Sequence, residues 1–140
     1  MNFKVFLEAE QHESDVKKMI RKLPKEHQKL LKGYKFKFIP DGTLKNDSSH
    51  VGIIDEDKKI ITIAAPWNYG REFTTLHEIA HLVWKYSMDK KDDWKDIMSK
   101  IEHKQGAEET FCMYYAANYS NHAPTTYSNK TALRFIKGIK

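Results

Sequence analysis

His77 and His81 are separated by four positions in the segment HEIAH, with Glu78 between them. On an α-helix, residues four apart stand one above the other on the same face, so both imidazoles can reach one tetrahedral Zn²⁺. Glu78 points about 100° round the helix from His77, where its carboxylate can hold a water beside the metal rather than ligate it. Zinc brings the pKa of such a water toward about 7, Glu78 takes its proton, and a carbonyl polarised by the metal is attacked. The chemistry expected of these three side chains is metal-assisted amide hydrolysis, with a protein or peptide as substrate.

A catalytic zinc site takes three protein ligands and leaves the fourth position open, so a third side chain must come from elsewhere. The longer pattern HExxHxxGxxH fails, because Trp84 stands at the Gly position and Ser87 at the third His. Downstream carboxylates remain: Glu102, Glu108 and Glu109. Three and seven residues after Glu109 come Cys112 and Ala116, small side chains that let a helix approach HEIAH closely. The same steps from Glu108 meet Phe111 and Tyr115, which face a deeper core. Glu109 is therefore preferred, ahead of Glu108 and then Glu102. The unused member of the Glu108–Glu109 pair reads as an ordinary acid in the first turn of a helix, where the macrodipole favours it.

The elements that must carry these residues follow from periodicity. Val16, Met19, Ile20, Leu23, Leu30 and Leu31 sit at helical spacings between His12 and Lys32, with a break near Pro24. YKFKFI, residues 34–39, alternates and reads as a half-buried strand, followed by a turn at Pro40-Asp41-Gly42. After the polar stretch NDSSH, the β-branched runs VGIID and KKIITIAA suggest a tight antiparallel pair. Pro66 to Gly70 interrupts, and from Arg71 the period becomes helical, with Phe73, Leu76, Ala80, Val83 and Trp84 on one apolar face. Further helices are expected from Lys91 to His103, from Gly106 to Tyr119, and from Thr131 to Lys137. The fold class expected is α+β, as a single domain over residues 1–140.

Composition narrows the setting. Apolar residues at 40% and charged residues at 31% suit a globular chain rather than a disordered one. No stretch approaches the roughly 20 apolar residues of a membrane span, and the start turns acidic and polar after Leu7, so no cleaved signal peptide is expected. The one cysteine, Cys112, excludes an internal disulfide and a multi-cysteine zinc knuckle. These features point to a cytoplasmic monomer. The net charge of +5 comes from scattered Lys rather than a stripe, which argues against nucleic acid as a partner.

The run AEETFCMYYAANYSNHAPTTY after TTLHEIAHLV resembles the C-terminal half of the anthrax-lethal-factor-like and Pro-Pro endopeptidase metallopeptidases. Glu109, Phe111, Cys112 and Tyr115 match that family's helix, and Ala123, Pro124, Thr126 and Tyr127 match its ending. The likeness covers about Val51 to Ile136. It implies a zincin-like fold: a twisted sheet whose edge strand binds extended substrate, then the metal helix, then a helical C-terminal part; with the N-terminal helix and the mainly antiparallel small sheet read above, a compact zincin-like domain is expected. It implies Glu109 as third ligand, with KKIITIAA the candidate edge strand. The family carries a transition-state-stabilising tyrosine seven residues before its Glu ligand; Glu102 stands there. His103 is the adjacent substitute, with Tyr114, Tyr119 and Tyr127 as others, and loss of one such donor costs about 10²–10³ in rate. A weaker likeness, through Glu109, Cys112, Tyr115 and Ala116, runs to the ImmA/IrrE-type peptidases that cleave repressors. A regulatory or binding module of zincin shape with weak catalysis is the other alternative.

Of the remaining reactive residues, Cys112 reads as a small packing residue. Trp67 and Tyr69 read as cleft wall, and Trp84 and Trp94 as core or cleft wall. His12, His27, His50 and His122 lie in polar, exposed contexts and receive no role.

Overall fold

A computed structural model describes residues 15–39, 52–64, 69–101, 105–121 and 126–139. Among them are six helices and three strands: α1 (15–21), α2 (Lys25–Leu30), β1 (Lys35–Phe38), β2 (Gly52–Asp55), β3 (Ile60–Ile63), α3 (Tyr69–Tyr86), α4 (Lys91–Met98), α5 (Ala107–Tyr119) and α6 (Lys130–Gly138). The architecture is α+β, as the periodicity predicts. The expected turn at Pro40-Asp41-Gly42, the NDSSH loop, and Trp67, Glu102, His103, His12, His50 and His122 fall outside the described residues.

The break between α1 and α2 falls at Pro24. Its ψ of 145° is extended, and its carbonyl accepts from His27 N and Gln28 N, each at 3.0 Å, to start α2. Gly33 then turns the chain with φ +85°, a left-handed conformation that suits glycine, and β1 follows. In β1 the lysines 35 and 37 are exposed while Phe36 and Phe38 are half-buried, the alternation of a strand covered on one face.

The strand order is β1-β3-β2, with β1 parallel and β2 antiparallel to β3. The small sheet is therefore mixed rather than mainly antiparallel. KKIITIAA, expected at the edge, lies in the middle. Lys35 N donates to Lys59 O and Ile39 N to Ile63 O, both at 2.9 Å, so β1 occupies the flank that an incoming peptide would need. Ile61 and Ile63 are fully buried beneath this pairing. The edges among the described strands are β1 and β2.

The core gathers Ile61 and Ile63 of β3, Leu76, Ile79, Ala80 and Val83 of α3, Phe111, Cys112, Tyr115 and Ala116 of α5, and Ile136 of α6. In α3 these positions recur at three and four residues, one apolar stripe facing inward. Trp94 is fully buried and ties α4 to the start of α5, its indole N–H donating to Ala107 O at 2.9 Å while its ring packs on Phe111, Tyr114 and Phe135. Helix α4 stops at Met98, short of His103: Ser99 Oγ donates to Asp96 O at 2.6 Å and Lys100 N to Ile97 O at 3.0 Å, tightening the last turn.

His27 departs from its sequence context. Despite neighbours Lys25, Glu26, Gln28 and Lys29, it is fully buried, with Nδ1 2.9 Å from Tyr115 Oη. The ring of α5's Tyr115 covers it, a tertiary contact 88 positions away.

Candidate active site

Helices α3 and α5 run antiparallel, and polar contacts fix their register at both ends. At one end Glu72 Oε1 accepts from Ser120 Oγ (2.8 Å) and Asn121 N (2.6 Å). At the other, the two histidines of HEIAH meet the two glutamates that open α5. His77 Nε2 lies 3.1 Å from Glu109 Oε2, and His81 Nε2 lies 3.1 Å from Glu109 Oε1. One carboxylate thus faces both imidazoles, each through the same ring atom. Cys112 and Ala116, both fully buried one and two turns further along α5, permit the close helix approach.

Glu108 makes a different contact. Its Oε2 accepts from His81 Nδ1 at 2.6 Å, on the side of the ring away from Glu109. Both acids of the first turn therefore engage the histidine pair, and neither is an ordinary helix-dipole partner. Sequence reasoning missed this role because a Glu at a helix start already has a local explanation.

Glu78 is placed by strand β2. A Cβ built on Gly52 would fall 2.6 Å from Glu78 Cγ, 2.7 Å from Oε1 and 2.9 Å from Cδ, so the Glu78 side chain lies against the backbone of an edge strand. Only glycine leaves room for it, and the position needs no unusual φ, so the requirement is space alone. A lone Gly in the β-branched run VGIID was the available signal.

The side-chain donor atoms of His77, Glu78 and His81 lie within 4.8 Å of one another. Either Glu78 or Glu109 could supply the carboxylate of a metal site, and Glu109 has the closer fit, with an oxygen on each Nε2. Donors at about 2.05 Å around a tetrahedral zinc lie about 3.3 Å apart; each Nε2 has its own Glu109 oxygen at 3.1 Å, Oε2 for His77 and Oε1 for His81. Two imidazoles and one carboxylate are the donor set of a catalytic zinc, so the residues present suit the ion.

Burial lowers the His77 pKa, against the pull of Glu109 and Glu108, which favours the uncharged ring. Its Nδ1 is buried with no hydrogen-bond partner among the described residues. Burial drives the Cys112 thiol far upward, and Glu109, Glu108 and Glu78 push it the same way, so this cysteine stays a protonated packing residue.

A cavity of about 430 Å³ opens beside these groups. Ile54, Leu82 and Trp84 give it apolar walls, Lys85 and Lys91 line it further out, and Glu78, His81 and Glu108 border it. Lys91 Nζ lies 5.2 Å from the Trp84 ring centroid. Glu56 accepts from Lys85 Nζ at 2.8 Å and from Tyr86 Oη, which pins the turn after β2 to the end of α3 and holds the Glu56 carboxyl below its ordinary value.

Tyr114, Tyr119 and Tyr127, named as possible oxyanion donors, do not line this cavity. Tyr114 packs on Trp94 and Tyr127, Tyr127 on Phe73, and Tyr119 borders a separate hollow with Leu23 and Pro24. His103 lies outside the described residues. No helix among the described residues is long and apolar enough to cross a membrane. Compared with known proteins, the chain matches no family model, no curated protein and no solved structure.

Proposed function

We propose that this chain is a zinc-dependent peptidase, with His77, His81 and Glu109 as ligands and Glu78 as general base. The observation that carries the reading is the convergence of two Nε2 atoms on the one Glu109 carboxylate, 3.1 Å from each, beside a glutamate held on an edge strand. A zinc ion bound there supplies Lewis-acid polarisation of a carbonyl and a lowered pKa for water. Glu78, which lies against Gly52 of β2 and beside His77 and His81, would take the proton of the attacking water and hand it to the leaving amine. An extended peptide can add to β2, the edge that replaces KKIITIAA in this role, so that its backbone passes Glu78 while a side chain enters the cavity of Ile54, Leu82 and Trp84.

Glu108 cannot share an ion with both Nε2 atoms from its place on His81 Nδ1, which supports Glu109 as the third ligand. A second reading, a metal-holding module with weak catalysis, is favoured by one observation: among the described residues, no tyrosine lines the cavity to stabilise an oxyanion.

Elemental analysis of purified protein tests the site and a peptide-library digest tests the activity. The expected result is about one zinc per chain, lost in His77→Ala and Glu109→Ala, with cleavage abolished in Glu78→Gln while zinc remains. Cleavage retained by Glu78→Gln overturns the peptidase assignment, and zinc without any cleavage supports the module.

A further inference from the structure

The two zinc-facing histidines are supported unequally. His77 Nδ1 is buried and has no partner among the described residues, whereas His81 Nδ1 lies 2.6 Å from Glu108 Oε2. With a metal on Nε2, the ring proton lies on Nδ1, where Glu108 Oε2 accepts it, and Nε2 stands 3.1 Å from Glu109 Oε1. The Glu108 contact also fixes the plane of the imidazole, since the ring is held at opposite nitrogens by carboxylates from consecutive residues of α5.

We propose that Glu108 is a positioning residue of the metal site: it sets the tautomer and orientation of His81 and raises the basicity of Nε2. This rests on the zinc assignment above and extends it to a residue that does not ligate the metal. Carboxylate partners of metal-bound histidines change affinity by about 10–100-fold when removed. Glu108 is 47% exposed, so water competes for the ring proton and the effect belongs at the lower end of that range. Because Glu108 and Glu109 are adjacent on one helical turn, a shift of α5 moves both contacts together and His81 stays matched to its ligand partner.

The test is zinc affinity by chelator competition, together with long-range ¹H–¹⁵N spectra of the zinc-loaded imidazoles, on wild type, Glu108→Ala, Glu108→Gln and Glu109→Ala. We expect one zinc per chain in both Glu108 variants at saturation. Affinity should fall about 10-fold in Glu108→Ala and only a few-fold in Glu108→Gln, whose amide oxygen still accepts from Nδ1–H. The protonated His81 Nδ1 resonance should be protected from exchange in wild type and Glu108→Gln and should exchange rapidly in Glu108→Ala. Wild-type affinity and an unchanged His81 signal in Glu108→Ala overturn the inference while leaving the zinc site standing. Loss of the ion in Glu108→Ala with retention in Glu109→Ala makes Glu108 the ligand and also overturns it. Absence of zinc from wild type overturns this inference and the peptidase reading together.

Discussion

Replacing Gly52 by alanine is the sharpest way to ask whether Glu78 works from the place where the fold puts it. The added Cβ would stand 2.6 Å from Glu78 Cγ and 2.9 Å from Cδ, against an ordinary carbon–carbon contact of about 3.6 Å. Something must yield by about 1 Å. The β2 backbone is paired with β3 and the Glu78 side chain is jointed, so the carboxylate moves. A displacement of about 1 Å at a reacting group costs about 10² in rate, or about 2.7 kcal/mol. The assay is kcat/KM on the best peptide from the library, with zinc content and melting temperature measured alongside. Zinc should remain at the wild-type level because the atoms nearest the added Cβ all belong to Glu78. Stability should fall by about 1–3 kcal/mol, the usual cost of overpacking, because Cγ lies near the α3 backbone and is not the far end of the side chain. In a Glu78→Gln background the same substitution should cost little more, because both changes act through one group. Wild-type kcat/KM in Gly52→Ala, or a loss that tracks zinc content, would refute the reasoning.

Other outcomes can be read independently of catalysis. His27 is fully buried and burial lowers its pKa, so between its folded value and about 6.5 the unfolded chain binds the proton more readily. Its contribution to stability is thus complete above about pH 6.5 and is lost as pH falls toward the folded value, at up to about 1.4 kcal/mol per pH unit; urea titrations should show that slope and its reduction in His27→Gln. Gly33→Ala should destabilise by about 1–2 kcal/mol through its φ of +85° alone, since the new Cβ meets Lys59 Cδ at an ordinary 3.4 Å; the urea midpoint should move with the slope unchanged. Zinc at 100 times its dissociation constant should stabilise the chain by about 2.7 kcal/mol, raising the melting temperature by about 5–11 °C, and Glu109→Ala should abolish that shift.

Local chemistry accounts for what could be read before the structure. HEIAH needs only helical spacing to bring His77 and His81 to one face, and the small residues Cys112 and Ala116 already favoured the Glu109 side of α5. Glu108 was opaque because its partner, His81, lies 27 residues away and a first-turn acid has a sufficient local reason to exist. His27 was misread for the same cause: its charged neighbours describe the surface of α2, while its burial is decided by Tyr115 on another helix. The place of β3 in the sheet was hidden because an inside–outside alternation looks alike in central and edge strands. Which flank is free depends on β1, and parallel pairing leaves no turn signature in the chain.

The central position of β3 has a consequence during folding and storage. β2 and β3 are joined by the short turn 56–59 and can form as a hairpin, whereas β1 reaches β3 only after residues 39–59 close a much larger loop. Any species in which β1 has not yet docked, or has let go, bares one side of IITIA: a β-prone, uncharged segment whose nearest charges are Lys58 and Lys59. Shelf life should therefore be governed by the hold of a four-residue strand, and a charge at Thr62, which is half-buried within that segment, should slow fibril growth under mildly denaturing conditions more than the same charge at the exposed Ile53 of β2.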